Sequence, residues 1–343
     1  MKNCKNCKTE TTESTICSKC SSPLHKDCAI VSNSSLYCDS CFIDLEDERV
    51  VDLDIVIPDV IRRSYIETYI SCPYKFYMEV VKGMQSEASS FAQVGIDLHD
   101  LFEQGSKHLI KSPEEMKTIY KEIFDKYNDK MFENDLVLYK DMNVQGLKAK
   151  LWQQSVNSID TFYAVLETLP YEAFALEERI EFSVGEDIPN LCITMDRIDE
   201  NPDGSLDVRD WKTGTVMVGQ KISTDMQAPL YIKAIKDKYG KHVKRFVFNY
   251  LGENKERIFE HVHGDEYVCT VGKREYKINI TDAVKKTQSI LAQIKNQEFN
   301  IPRNIKNMYF TCKTCGIQKL GACNGADEQA WKQYNKPKQT EGW

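Results

Sequence analysis

The stretch Ser205 to Thr215, SLDVRDWKTGT, alternates apolar and polar residues and ends with Asp210 and Lys212 one residue apart. Alternation of that period predicts a strand with one face turned to a core. The segment before it, "LCITMDRID" from Leu191 to Asp199, alternates in the same way, and "NPDG" at 201–204 is turn sequence. A hairpin of the two strands can bring Asp196 beside Asp210. Two carboxylates and an ammonium group at one point suit phosphodiester hydrolysis. The carboxylates can hold a divalent cation that activates water and offsets phosphoryl charge, while the lysine steadies the nucleophile or the transition state. The same residues also occur at solvated strand ends, so the remainder of the chain must discriminate.

Helical periodicity precedes the hairpin in "SYIETYISCPYKFYMEVV", "FAQVGIDLHDLFEQGSKHLI", "PEEMKTIYKEIFDKYNDKMF" and across 144–168. Ser64 with Glu67 matches a capping box and predicts a helix start there. "ERIEFSV" predicts a strand before the hairpin. After it, "TDMQAPLYIKAIKDKYG" predicts a helix ended by Gly240, "KRFVFNYL" and "ERIFEHV" predict strands, and "TDAVKKTQSILAQIKNQ" a last helix. The core is therefore expected to be α/β with helical flanks.

With 343 residues, 41% hydrophobic and 28% charged, the composition is that of a globular main core with an appended module. No apolar run approaches the roughly 20 residues of a membrane span, and "MKNCKNCKTE" lacks a signal-peptide core, which predicts a soluble, cytoplasmic chain, nucleoid-associated in a bacterium or virus. The net charge of −7 argues against wholesale coating of nucleic acid, yet residues 204–343 hold 24 Lys and Arg against 15 Asp and Glu. That excess leaves room for a basic, phosphate-binding face.

Thirteen cysteines without a secretory signal point to metal rather than disulfides. Seven lie before residue 42, in the order Cys4-x2-Cys7-x9-Cys17-x2-Cys20-x4-His25-x2-Cys28-x9-Cys38-x2-Cys41. Eight ligands in four pairs suit two tetrahedral Zn2+ ions, whose binding would supply the folding energy that so short a segment lacks. The order resembles the PHD and related RING-like fingers. The resemblance implies cross-bracing, with Cys4, Cys7, His25 and Cys28 on one zinc and Cys17, Cys20, Cys38 and Cys41 on the other. Leu36 stands where such fingers usually carry tryptophan, so a docking surface for a protein or nucleic-acid partner is expected rather than histone-tail reading.

"ITMDRIDENPDGSLDVRDWKTG" resembles the DRxD...DYKTG core of the RecB-like branch of the PD-(D/E)XK nucleases. Three flanking motifs of that branch occur in order: "SYIETYISCPYKFY", "VGIDLHDLFE" with Gly95-x3-His99, and "QAPLYIKA" with Gln227-x3-Tyr231. The resemblance implies a central mixed sheet flanked by helices. It further implies that His99, Asp196, Asp210 and the Trp211 carbonyl hold Mg2+ or Mn2+, that Lys212 positions the attacking water, and that Gln227 and Tyr231 face the site together. Glu103, one turn after His99 on the same helix face, is expected to be an exposed acid, the alternative being that it orients the histidine.

Cys72 before this region and Cys312, Cys315 and Cys323 after it resemble the iron-sulfur staple of the CRISPR-associated RecB-like exonucleases and AddB-type helicase-nucleases. That implies a structural 4Fe-4S cluster, with zinc as the alternative occupant of four thiolates. The expected domains are 1–45, a double-zinc module; 46–61, an acidic linker; 62–330, the nuclease domain; and 331–343, a tail. The expected activity is that of a metal-dependent DNA exonuclease on single-stranded or frayed ends in recombination, repair or replication. The alternative is a non-catalytic adaptor that binds DNA and recruits a partner through its finger.

Overall fold

The computed structural model describes residues 55–85, 88–133, 135–136, 139, 141–299, 312 and 315–323, together with residue 22 and the short segments 2–3, 10–11, 30–32 and 35–37. The chain divides into two units, Met1–Ile55 and Val56–Trp343. In the first, β1 (Lys2–Asn3) pairs antiparallel with β2 (Glu10–Thr11), and β3 (Ile30–Ser32) with β4 (Ser35–Tyr37). The eight expected zinc ligands, Cys4, Cys7, Cys17, Cys20, His25, Cys28, Cys38 and Cys41, lie outside the described residues.

The second unit is built on a mixed sheet of β5 (Val60–Arg62), β6 (Ala175–Phe182), β7 (Asn190–Glu200), β8 (Leu206–Lys212), β9 (Val243–Tyr250), β10 (Lys255–His263), β11 (Glu266–Val271) and β12 (Arg274–Asn279). Its helices are α1 (Arg63–Ser71), α2 (Pro73–Phe76), α3 (Ser90–Ser106), α4 (Pro113–Phe124), α5 (Asp129–Glu133), α6 (Val144–Leu166), α7 (Gln220–Ser223), α8 (Gln227–Tyr239), α9 (Ile280–Lys295) and α10 (Gly316–Lys319). The sheet order is β12-β11-β10-β9-β8-β7-β5, with β6 also on β7. Only β5–β7 and β8–β9 are parallel.

One detail of this order positions the site. β6 pairs with β7 from Leu191 through Ile198, so β5, which pairs at 190–192, and β8, which pairs at 197–200, must share the opposite edge of β7. The ends of β5 and β8 therefore meet along the same short stretch of β7, residues 193–196. α1 springs from that gap directly after β5.

Two apolar cores hold the arrangement. In the larger, Ile193, Met195, Val208, Phe246 and Phe248 of the sheet pack with Ile66, Leu230, Ile235, Leu291 and Ile294 from α1, α8 and α9. In the other, α3, α4 and α6 bury Leu98, Phe102, Met116, Tyr120, Leu151 and Phe162 around the Trp211 ring and Leu251. Trp211 meets Phe162 edge to face, with centroids 5.3 Å apart. Gly105 allows α3 and α6 to pack closely, since a Cβ there would lie 2.7 Å from Phe162 Cε1.

Local sequence explains several helix ends. The side chains of Ser89, Ser112, Asn143 and Asn279 accept from the first-turn amides of α3, α4, α6 and α9, and Gly240 closes α8 at φ 63°. The capping box expected at Ser64 does not form. α1 begins one residue earlier, Arg62 occupies the cap position without a side-chain bond, and Glu67 binds Arg63 Nη1 at 2.6 Å instead. β11 and β12, joined through Gly272 at φ 62°, form an antiparallel hairpin that extends the sheet beyond the expected strands.

Candidate active site

The β7–β8 hairpin places the two acids. Its turn is closed by the Gly204 amide donating to Asn201 O at 2.9 Å and by the Asn201 amide donating to Ser205 O at 2.8 Å. The register ends at the pair of Arg197 with Arg209, which brings Asp196 and Asp210 next to each other at the close of the paired stretch. The Trp211 amide donates to Asp196 Oδ2 at 2.5 Å, which fixes that carboxylate across the strands. Asp196 is 8% exposed and Asp210 4%.

Lys212 Nζ lies 2.7 Å from Asp210 Oδ2. Gln227, on the first turn of α8, joins the pair: Nε2 donates to Asp210 Oδ1 at 2.5 Å, and Oε1 accepts from Lys212 Nζ at 2.9 Å. Tyr231 follows one turn later and is buried. Asp225 Oδ2 accepts from the Ala228 amide at 2.8 Å and so anchors the start of α8.

His99 arrives from the helical side. Its Nδ1 lies 3.6 Å from Asp196 Oδ1, with the ring partly exposed. Gly95, one turn earlier, is where α3 passes the end of β8: a Cβ at Gly95 would lie 3.3 Å from Thr213 Oγ1. The glycine thereby lets the helix approach closely enough for His99 to reach Asp196. Glu103 pairs with Lys107 on the outer part of the same helix.

Burial raises the pKa of Asp210, the Lys212 ammonium opposes the rise, and the Asp196 charge adds to it. For His99, burial lowers the pKa, but the hydrogen bond and charge of Asp196, with Asp210, outweigh it and the net direction is up. The Tyr231 hydroxyl is raised by burial and then by Asp210, against Arg63.

A third carboxylate joins the two acids. β6 pairs Leu176 with Arg197 and Glu178 with Met195, so Glu177 stands opposite Asp196 on the side away from Asp210. It takes φ 48°, a strained backbone for a non-glycine residue. Its carboxyl is pushed up to about 7 by burial and by the charges of Asp196 and Glu103, with His99 and Lys107 opposing. No motif sets it apart among the glutamates of "ALEERIEF"; strand pairing identifies it.

The donor set fits a divalent cation. Asp210 Oδ2 is buried without a well-aligned hydrogen bond, although it faces Lys212, and carboxylate with imidazole suits Mg2+ or Mn2+. Among the described residues no three His, Cys, Asp or Glu side chains already form a closed metal-binding group. The same holds for the second cysteine set, although its segments come together. Tyr74 Oη, two residues beyond Cys72, donates to Ala322 O at 3.2 Å beside Cys323. Burial raises the Cys72 thiol, the Lys75 and Tyr74 amides oppose this, and Cys312 and Cys315 add to it. Cys192 and Cys269 are buried within β7 and β11.

The chain belongs to the PD-(D/E)XK nuclease superfamily, whose family model matches residues 63–320. Members of that superfamily are nucleases that use divalent metals such as Mg2+ and Mn2+, and the α/β architecture with a mixed sheet between helices is consistent with their core. A protein of Rickettsia conorii, the uncharacterized protein RC0550, is 23% identical over 219 residues, 60% of this chain and 25% of that relative. The chain thus spans about a quarter of its length. The crystal structure of SSO0001 aligns over 82% of this chain and 95% of its own at 13% identity and a TM-score of 0.30. No helix among the described residues is long and apolar enough to cross a membrane.

Proposed function

We propose that this chain is a metal-dependent deoxyribonuclease, an exonuclease of the RecB-like branch acting on single-stranded or frayed DNA ends in recombination, repair or replication. The observation that carries the reading is the hydrogen-bonded group of Asp210, Lys212 and Gln227, with Asp196 held beside it by the Trp211 amide and His99 at its edge. His99, Asp196, Asp210 and the Trp211 carbonyl would hold Mg2+ or Mn2+, which supplies an activated water and neutralises phosphoryl charge. Gln227 holds the Lys212 ammonium beside Asp210, so the lysine is oriented before substrate arrives. There it would steady the attacking water or the negative charge that develops on the phosphate.

The cysteine–histidine order of the N-terminal unit supports a double-zinc finger that docks a partner. The reading of a 4Fe-4S staple, or zinc in its place, draws on the cysteine pattern and on the Tyr74–Ala322 bond, which joins the segments that carry Cys72 and Cys323. Anaerobically purified protein that is brown and contains iron and sulfide would establish the cluster. Colourless protein with about three zinc equivalents would establish the alternative. Activity is tested by incubating end-labelled single- and double-stranded DNA with Mg2+ or Mn2+, beside Asp210→Ala. Digestion by wild type alone is expected; DNA left equally intact by both proteins across metals and substrates would leave the adaptor reading.

A further inference from the structure

A cleft of about 320 Å³ opens in the gap between the ends of β5 and β8, lined among others by Arg62, Arg63, Ser64, Arg179, Thr194 and Tyr231. Its three guanidinium groups come from three directions. Arg62 ends β5 opposite Cys192, Arg179 stands opposite Thr194 on β6, and Arg63 begins α1. Among the described residues no carboxylate lines the cleft. Arg63 gives Nη1 to Glu67 and lies over the Tyr231 ring at 5.9 Å, yet its Nε is buried without a hydrogen-bond partner. Arg179 spends its Nε on Cys192 Sγ at 3.1 Å, a weak acceptor. The charges of Glu67, Asp210 and Asp225 offset the burial of Arg63, so what stays open is its buried Nε donor, which an anion in the cleft would satisfy. The cleft also receives the N-terminus of α1, whose unpaired amides and dipole add to the attraction.

The cleft shares β7 and α8 with the candidate active site. Thr194 lies two residues before Asp196 on β7, a separation of about 7 Å along the strand. Tyr231 lines the cleft from α8, one turn beyond the Gln227 that binds Asp210 and Lys212. We infer that this cleft is a phosphate subsite, holding a phosphate of the nucleic-acid strand next to the one undergoing hydrolysis. The inference rests on the nuclease reading for its substrate. It gives Arg62, Arg63 and Arg179 the task of setting how far the strand enters. Arginine suits the task because its planar fork meets phosphate oxygens in pairs. The phosphate could be a terminal monoester or an internal diester, and the two differ in what they predict.

The test uses the full-length protein and an oligothymidylate labelled at an internal position, prepared with a 5′-phosphate, a 3′-phosphate or hydroxyls at both ends. Binding is measured in chelator by anisotropy over a range of salt, for wild type and for the double variant Arg62→Gln, Arg179→Gln, both exposed positions. If the cleft takes a terminal phosphate, wild type binds one phosphorylated form about tenfold more tightly than the hydroxyl form, and the double variant loses that preference. If it takes an internal phosphate, wild type binds the three alike. The double variant then weakens all of them about tenfold and reduces the salt slope by about 0.7, as expected for one phosphate of a single strand no longer neutralised. Unchanged affinity, preference and slope in the double variant would overturn the subsite. Digestion with Mg2+ by the same proteins separates the two ideas. Arginine-dependent binding without digestion would remove the nuclease reading alone, and digestion with arginine-independent binding would remove the subsite alone.

Discussion

Gln227 donates through Nε2 to Asp210 Oδ1 at 2.5 Å while its Oε1 accepts from Lys212 at 2.9 Å, so one amide holds acid and ammonium in register. Removing it should leave both charges present but unfixed. Gln227→Ala is expected to lower kcat on single-stranded DNA by about 10–100-fold with little change in KM, since orientation rather than uniform binding is lost. Equal kcat in the variant would show that the amide has no positioning role.

Gly95 is the close-approach point between α3 and the end of β8, one turn before His99. Gly95→Val should push α3 away from Thr213 and carry His99 with it. The expected result is a rise of about tenfold in the Mn2+ concentration needed for half-maximal digestion, with the far-UV spectrum unchanged. Gly95→Val with wild-type metal dependence would mean that His99 is placed by something other than this contact.

Glu177 falls on β6 between Leu176, which pairs with Arg197, and Glu178, which pairs with Met195, and its carboxyl feels the Asp196 charge. Glu177→Gln keeps the shape and removes the charge. Half-maximal digestion should require about tenfold more Mg2+, and excess metal should restore much of the rate. A rate that stays low at saturating Mg2+ would instead place Glu177 in the chemical step.

How much of this was legible depends on how local each determinant is. Asp196, Asp210 and Lys212 sit on a hairpin whose turn sequence fixes their register, and Gln227-x3-Tyr231 is one helical turn, so short-range pattern sufficed. Glu177 was not legible because "ALEERIEF" offers several glutamates, and the pairing of β6 with β7 chooses among them. Arg62, Arg63 and Arg179 meet only because β5 runs parallel to β7 on the edge that β8 leaves free. The Ser64 capping box failed because β5 delivers the chain already helical at Arg63, which left Glu67 to the arginine. The β11–β12 hairpin escaped because its strands are polar and exposed on one side.

The helical side carries its own pH signature. Burial pushes the Tyr120 hydroxyl up to about 12, the Ser155 bond at 2.9 Å opposes this, and Asp97 adds to it. A folded pKa raised above the unfolded value of 10.0 gives stability that is present below pH 10 and lost as pH rises toward 12. Urea unfolding at pH 8 and pH 11.5 should show Tyr120→Phe less stable than wild type by about 1 kcal/mol at the lower pH, from the lost hydrogen bond. The gap should narrow or reverse at the higher pH. A constant difference across that window would contradict the assignment.

The central claim is that Asp196, Asp210 and His99 share one divalent ion. Mn2+ titration followed by electron paramagnetic resonance, in the absence of DNA, tests it most directly. Wild type should show a tight site that Asp210→Asn weakens by about 100-fold, with the folded state retained because the amide preserves the shape of the buried side chain. Indistinguishable Mn2+ binding by wild type and Asp210→Asn would contradict the account.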